Sequence, residues 1–293
     1  MKNIVSKLTI GLMLVVPFLG YTSAKAQQQE VSAQVGFGVS SLTYDVTNGS
    51  SKNRAGFNVG LGYTYFFSEK WGVVTGVDMS FYNGKTTVGN ITSGYASVDN
   101  EGDKFEYRSA FTNYEETQKT IFLNIPVMGQ FQHPIMESAK LYAQAGVKVG
   151  IPISGKFEAK DAAYTTTGYY PDYNIEIGNI PAQGFGTYNG KSVENDLDLK
   201  VSFALAAEVG LKWSLADKMS LYTGLYLDYG LTDVVKTESD KALVSYSSNQ
   251  QPVYGSSSIL TAQHLTSKGS YSSLADKVKP ISFGLRLRFG FGL

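Results

Sequence analysis

Residues 281–293 read Ile-Ser-Phe-Gly-Leu-Arg-Leu-Arg-Phe-Gly-Phe-Gly-Leu. Every second side chain is apolar, and those between are Ser, Gly or Arg. A period of two sends successive side chains to opposite faces of a strand. An amphipathic helix would need apolar residues at i, i+3 and i+4, which this segment lacks. The same alternation recurs along the chain. Phe57, Val59, Leu61, Tyr63 and Tyr65 alternate with Asn58, Gly60, Gly62 and Thr64. Residues 71–81, 141–151, 201–213 and 221–231 repeat it, and residues 31–44 and 121–132 complete a set of eight strands. Pro126 lies inside one of them; it cannot donate to a ladder, so a bulge or local break is expected there.

The sense of the two faces decides the fold class. A soluble sandwich turns its apolar face inward, whereas a membrane barrel turns it outward to lipid. The second face here is crowded with Gly, and 31 of the 293 residues are Gly against a usual ~7 %. A solvated face has no reason to prefer a residue that weakens strands. A narrow closed lumen does, because bulky side chains from eight strands cannot all fit inside it. The charges on that face nearly balance. Asp78, Glu208 and Asp228 oppose Lys148, Arg286 and Arg288, with Lys212 near one end. They read as an ion-pair network filling a small lumen. The expected fold is therefore all-β: a single eight-stranded antiparallel transmembrane β-barrel, with both termini periplasmic.

The connections alternate in length. Residues 67–70, 132–139 and 214–219 are short turns. At the other end a tight loop at 48–53 is joined by three long loops, at about residues 89–118, 158–196 and 237–276. Short periplasmic turns and long extracellular loops are the pattern of outer-membrane barrels. Trp71, Trp213, Tyr65, Phe131 and Phe291 fall beside the short turns, and Phe81 and Tyr229 near the opposite end, as two aromatic girdles.

An address precedes the barrel. Lys2 and Lys7, an apolar run at residues 8–20 and the small-residue site Ala24-Lys25-Ala26 have the three-part form of a secretory signal peptide. The run is short of the ~20 residues a spanning helix needs. Cleavage after Ala26 leaves residues 27–293 as the barrel domain. That segment loses Lys2, Lys7 and Lys25 but no acid, so it carries three more acids than bases. The near balance excludes a chain drawn to nucleic acid by its charge. The absence of Cys excludes disulfides, thiolate metal sites, Cys nucleophiles and a lipid-modified N-terminal Cys.

The segment Leu123-Asn124-Ile125-Pro126-Val127, followed by Leu141-Tyr142-Ala143-Gln144-Ala145-Gly146-Val147, resembles the PorT-like small outer-membrane β-barrel domain family, within the OmpA/OmpX/OmpW-type barrels. That family shows an L-x-I-P-hydrophobic strand, then one of aromatic, small and Gly residues. The resemblance implies an outer-membrane barrel and allows an accessory role in secretion or envelope assembly. Under it, Phe289, Phe291 and Leu293 look like the C-terminal signal read by the barrel insertion machinery; the usual final residue is aromatic, and here it is Leu.

Catalytic chemistry is sparse. His133 lies in a short turn. His264-Leu265-Thr266 puts a hydroxyl two residues from a His, as in barrel lipid A deacylases, but with Thr in place of Ser and within a loop. No G-x-S-x-G or H-E-x-x-H motif occurs. The acidic cluster Asp99, Glu101, Asp103 and Glu106 matches no calcium-loop spacing. No catalytic residue, cofactor or metal is expected. The loops supply the candidate contact surface: Tyr169, Tyr170, Asp172, Tyr173 and Tyr188 lie in stretches rich in Tyr, Gly and Asn, the composition of many binding loops.

The expected function is a non-enzymatic outer-membrane protein with a structural, adhesive or surface-recognition role through its long loops. The alternatives are an accessory barrel for secretion or envelope assembly, and a lipid-modifying enzyme. The expected partners are outer-membrane lipid, the insertion machinery and a surface glycan or protein ligand, with no nucleic acid. A monomer is expected.

Overall fold

The computed structural model describes residues 28–46, 48–236, 241–247, 249, 251–265 and 270–293. The expected signal peptide lies outside the described residues. In chain order the strands begin with β1 (Gln28–Thr43), β2 (Gly49–Asn53), β3 (Ala55–Phe66), β4 (Trp71–Val88), β5 (Ile91–Val98) and β6 (Lys104–Phe111). Next come β7 (Tyr114–Met136), β8 (Ala139–Ala159), β9 (Ala162–Tyr170), β10 (Ile175–Ile177), β11 (Gly186–Gly190) and β12 (Val193–Asp196). The rest are β13 (Ser202–Ala216), β14 (Met219–Gly230), β15 (Val244–Tyr246), β16 (Pro252–Tyr254), β17 (Gln263–Leu265), β18 (Tyr271–Ser273) and β19 (Lys279–Gly292). No helix among the described residues is long and apolar enough to cross a membrane.

Each of the eight alternating segments lies on one of the long strands β1, β3, β4, β7, β8, β13, β14 and β19. These pair antiparallel in that order, and β19 pairs in turn with β1. The register keeps faces together across every ladder: Gln34 lies opposite Arg288 on β19, and Val35 opposite Leu287.

The faces have the inverted sense. Phe37, Leu61, Val127, Val147, Leu205, Leu225 and Leu285 are exposed, while Asp78, Lys148, Glu208, Asp228, Arg286 and Arg288 are buried. Glycine makes this interior possible at points of close approach. A Cβ on Gly224 would lie 2.5 Å from the Tyr142 hydroxyl, and one on Gly36 would lie 2.7 Å from the Asn58 amide. Trp71 packs on Phe131 at the short-turn end, with ring centroids 4.9 Å apart. Phe57 stacks on Phe81 towards the other end, at 4.3 Å.

Pro126 makes the expected break on one side only. Its ladder to β4 lapses between Val127 and Asn124, while the ladder to β8 runs through Pro126↔Lys148. The register shifts of β7 against β8 lie elsewhere, at Ile121/Phe122 and Pro134/Met136.

Among their described residues the three long connections carry strands of their own, beyond the eight that the sequence pattern marks. The barrel strands run on well past the predicted rim. β7 has 23 residues, about 78 Å at ~3.4 Å per residue, more than twice what a tilted strand needs to cross a ~25 Å apolar band. The connections then build a second sheet in the order β10-β9-β6-β5-β17-β18, with β11 also paired to β9. Its strands leave little mark in the sequence, because they are short and their Tyr, Thr and Gly content also fits a binding loop. One face of this sheet is aromatic. Phe105, Tyr107, Phe111, Tyr164, Tyr170 and Phe185 share a single buried cluster with Leu42, Tyr44, Tyr82 and Phe122 of the barrel strands. The loop sheet is thus sealed onto the barrel mouth by one continuous apolar core.

Candidate functional site

The buried charges come together in the middle of the barrel. Lys148 Nζ lies 2.8 Å from Asp228 Oδ2 and 3.0 Å from Asp78 Oδ2. Arg286 Nη1 lies 3.0 Å from Glu208 Oε2, and its Nη2 lies 3.6 Å from Asp228 Oδ2. Arg288 is farther from its carboxylate, at 3.9 Å from Glu208 Oε1. It is held instead by uncharged groups. With the Gln144 amide oxygen turned toward the guanidinium, that oxygen accepts from Nη1 at 2.6 Å and Nη2 at 2.8 Å. The Arg288 guanidinium also lies 3.9 Å over the Tyr222 ring, and that of Arg286 lies 4.1 Å over Tyr226. Neutral donors complete the acids: Asn124 Nδ2 donates to Asp78 at 2.8 Å, and the Tyr142 hydroxyl to Glu208 at 2.6 Å. Hydrogen-bonded pairing of this kind is what permits full charges to be buried.

One member of this interior escaped the sequence reading. Glu30 accepts from Lys212 Nζ and from the Tyr222 hydroxyl, each at 2.7 Å. The apolar alternation of the first strand starts at Val31, whereas β1 starts at Gln28 and so includes Glu30. The parity of Glu30 with Ser32, Gln34 and Gly36 carried the signal. With Glu30 and Lys212 included, four acids face four bases. The cavity beside Arg286, Arg288 and Lys148 holds only about 10 Å³, roughly room for one water.

At the far end, Glu116 clamps the last long connection to β7. Its carboxylate accepts from Ser258 Oγ, from Ile259 N at 2.9 Å, from Gln118 Nε2 at 2.8 Å and from the Tyr114 hydroxyl at 2.7 Å. No cation is bound to it among the described residues. Burial pushes the Glu116 carboxyl above the usual glutamate range, opposed by the donors of Ser258, Ile259, Gln118 and Tyr114. Beside it, burial raises the Tyr44 phenol to about 12.

The candidate contact residues divide. Tyr170 is only 8 % exposed, stacks on Phe105 and bonds Asp99 through its hydroxyl. Tyr188 is half-buried and stacks on Tyr164. Both belong to the aromatic core side, which corrects their assignment to the contact surface; the two-residue period of β9 and β11 turns them inward. Tyr169, Asp172 and Tyr173 do face outward. Tyr169 lies under the Arg108 guanidinium at 4.2 Å. Phe289, Phe291 and Leu293 all project from the apolar outer face. His133 is exposed, and the Thr266 that would pair with His264 lies outside the described residues.

The sequence profile of the outer membrane protein beta-barrel domain matches residues 25–236. The chain belongs to this family. It is a protein of the outer membrane, all-β and barrel-forming. No curated protein matches it. Among solved structures, neisserial surface protein A is 10 % identical at a TM-score of 0.37, over 91 % of this chain and 99 % of that one. Ail of Yersinia pestis, solved with the heparin analogue sucrose octasulfate, is 14 % identical at 0.32, over 91 % and 99 %. OprG of Pseudomonas aeruginosa is 14 % identical at 0.31, over 92 % and 98 %.

Proposed function

We propose that this protein is a non-enzymatic surface-recognition barrel, closed by eight strands, whose long connections form a rigid extracellular platform. The observation that carries this reading is the second sheet. Its aromatic face shares one core with the barrel mouth, and its other face is turned away from that core. A barrel that served only as membrane structure would not need an ordered sheet built above it. Rigid elements hold contact residues more exactly placed than free loops do, at less entropic cost on binding. The lumen, filled by the paired charges, supports a plug rather than a channel. Within the family, the PorT-like features lie on β7 and β8, which pair directly, and this is the narrower grouping we propose.

The test is a binding screen of cells displaying the full chain against immobilised surface glycans and extracellular proteins. The readout is repeated with Tyr173→Ala, a change on the exposed β9–β10 turn. Retention above cells lacking the protein, on at least one ligand and weakened by substitution on the outward face of the platform, is expected. Retention equal to that of cells lacking the protein, across the panel, refutes the reading.

A further inference from the structure

The geometry points to a cleft for a neutral sugar on the outward face of the β5–β6–β9 sheet, an inference that rests on the surface-recognition reading and names its ligand class. The cross-strand register builds it. One row, Thr92–Ala110–Thr165, carries only short side chains. The adjoining rows carry Arg108 opposite Gly94, and Glu106 opposite Tyr169. Short residues beside long ones leave a trough, and the volume is about 410 Å³, within the range of small-ligand sites. His264 reaches it from the last long connection through a parallel bridge to Gly94. Its Nδ1 is buried and has no hydrogen-bond partner among the described residues. Gly94 leaves room for the Glu106 carboxylate, whose Oε1 would lie 2.8 Å from a Cβ placed there.

The polar groups are pre-set. Arg108 donates from Nε and Nη2 to Glu106 Oε2, at 3.0 and 2.7 Å, and its Nη1 lies 3.5 Å from Glu176 Oε2. Thr167 Oγ1 donates to Glu176 Oε1 at 2.7 Å. The guanidinium is thus locked between two carboxylates and the Tyr169 ring. Planar donors and acceptors stand side by side, flanked by threonine hydroxyls. A sugar hydroxyl donates and accepts at once, so a vicinal diol can give a hydrogen to a carboxylate while taking one from the guanidinium or the imidazole. An anionic ligand is disfavoured, because two carboxylates outnumber the one guanidinium. A plain hydrocarbon would leave these groups without partners.

The experiment uses the refolded full chain in a detergent without a sugar headgroup. Saturation-transfer NMR and calorimetry are run with galactose, glucose, mannose, N-acetylglucosamine and lactose, and with sialyllactose and a sulfated heparin disaccharide as charged counterparts. Saturable binding of a neutral sugar is expected. Glu106→Gln should weaken it at least about tenfold, the scale of one lost charged hydrogen bond. Ala110→Trp should abolish it by filling the trough, and Lys218→Ala, in the β13–β14 turn at the opposite end, should leave it intact. Gel mobility and urea midpoints verify that each variant is folded. Failure of every neutral sugar to bind, preference for the charged saccharides, or binding untouched by Ala110→Trp each overturns the proposal. If the surface screen still finds a ligand that Tyr173→Ala weakens and Ala110→Trp does not, the sugar cleft falls while the recognition reading stands.

Discussion

Removing the Lys148 ammonium tests whether the barrel interior is held by charge. Lys148 sits between Asp78 and Asp228, with side-chain exposures of 3, 0 and 5 %. Lys148→Met keeps most of the volume but leaves the buried Asp78 carboxylate without its cation and Asp228 with Arg286 alone, at 3.6 Å. Breaking a buried pair by removing one partner costs about 3–5 kcal/mol, and here one cation serves two acids, so the upper part of that range is expected. At a urea dependence of about 2 kcal/mol per molar, the midpoint should fall by about 2 M. The compensating variant follows from the charge count. Adding Asp78→Asn to Lys148→Met leaves Asp228 and Glu208 against Arg286 and Arg288, which are again balanced. The residual cost should shrink to about 1 kcal/mol, the scale of a lost hydrogen bond. Lys156 provides the contrast. Its pair with Glu194 is as short, at 2.7 Å, but the side chains are 50 and 45 % exposed. Solvent screens such pairs, so Lys156→Met should leave the midpoint unmoved. The assay is urea unfolding of the refolded barrel, read by the mobility difference between folded and unfolded chain on a gel. The reasoning is refuted if Lys148→Met and Lys156→Met behave alike, or if the double variant is less stable than Lys148→Met.

Leu287 faces outward on β19 and is 42 % exposed; Leu287→Arg should cost about 2–4 kcal/mol near the bilayer midplane, and an unchanged midpoint would mean the lipid-facing side is wrongly assigned. Because burial raises the Glu116 carboxyl above its unfolded value of ~4.3, its ionisation opposes folding. The contribution of this residue is full below the unfolded value and declines as pH rises through the raised folded one. The protection of the Ile259 amide, its exchange corrected for intrinsic base catalysis, should therefore fall over that interval, and in Glu116→Gln that protection should stay level with pH. Planar-bilayer recordings should show no stable large conductance; a reproducible one would contradict a lumen filled by the Lys148, Arg286 and Arg288 pairs.

The barrel strands were legible because the bilayer imposes one rule on every strand: apolar side chains outward, small or polar ones inward. That rule appears as a period of two, and it located Arg286 and Arg288 on the inner face without any coordinates. It also placed Asp78, Glu208 and Asp228 on that face. Which acid meets which base was not legible. Lys148 bonds Asp228 across 80 positions of chain, and Arg286 meets Glu208 across 78. Such pairings depend on the stagger of the strands, not on local pattern. Glu30 shares the parity of the inward residues Ser32 and Gln34, but β1 starts at Gln28, three residues before the apolar alternation that begins at Val31.

Above the barrel the local signal fails for a physical reason. Tyr170 and Tyr173 are three residues apart and chemically identical, yet Tyr170 is packed on Phe105 while Tyr173 is exposed. Their difference lies in where β9 ends and turns. The trough beside Arg108 draws on β5, β6, β9, β10 and the distant His264, and its shape is the sum of their registers. The amino-acid sequence alone therefore determined the all-β class, the inverted faces and the outer-membrane destination, since each follows from a two-residue period meeting a single apolar solvent. The tertiary structure decided the ion pairs, the platform over the mouth and the cleft on it, because each depends on strands that are far apart in the chain being brought into register.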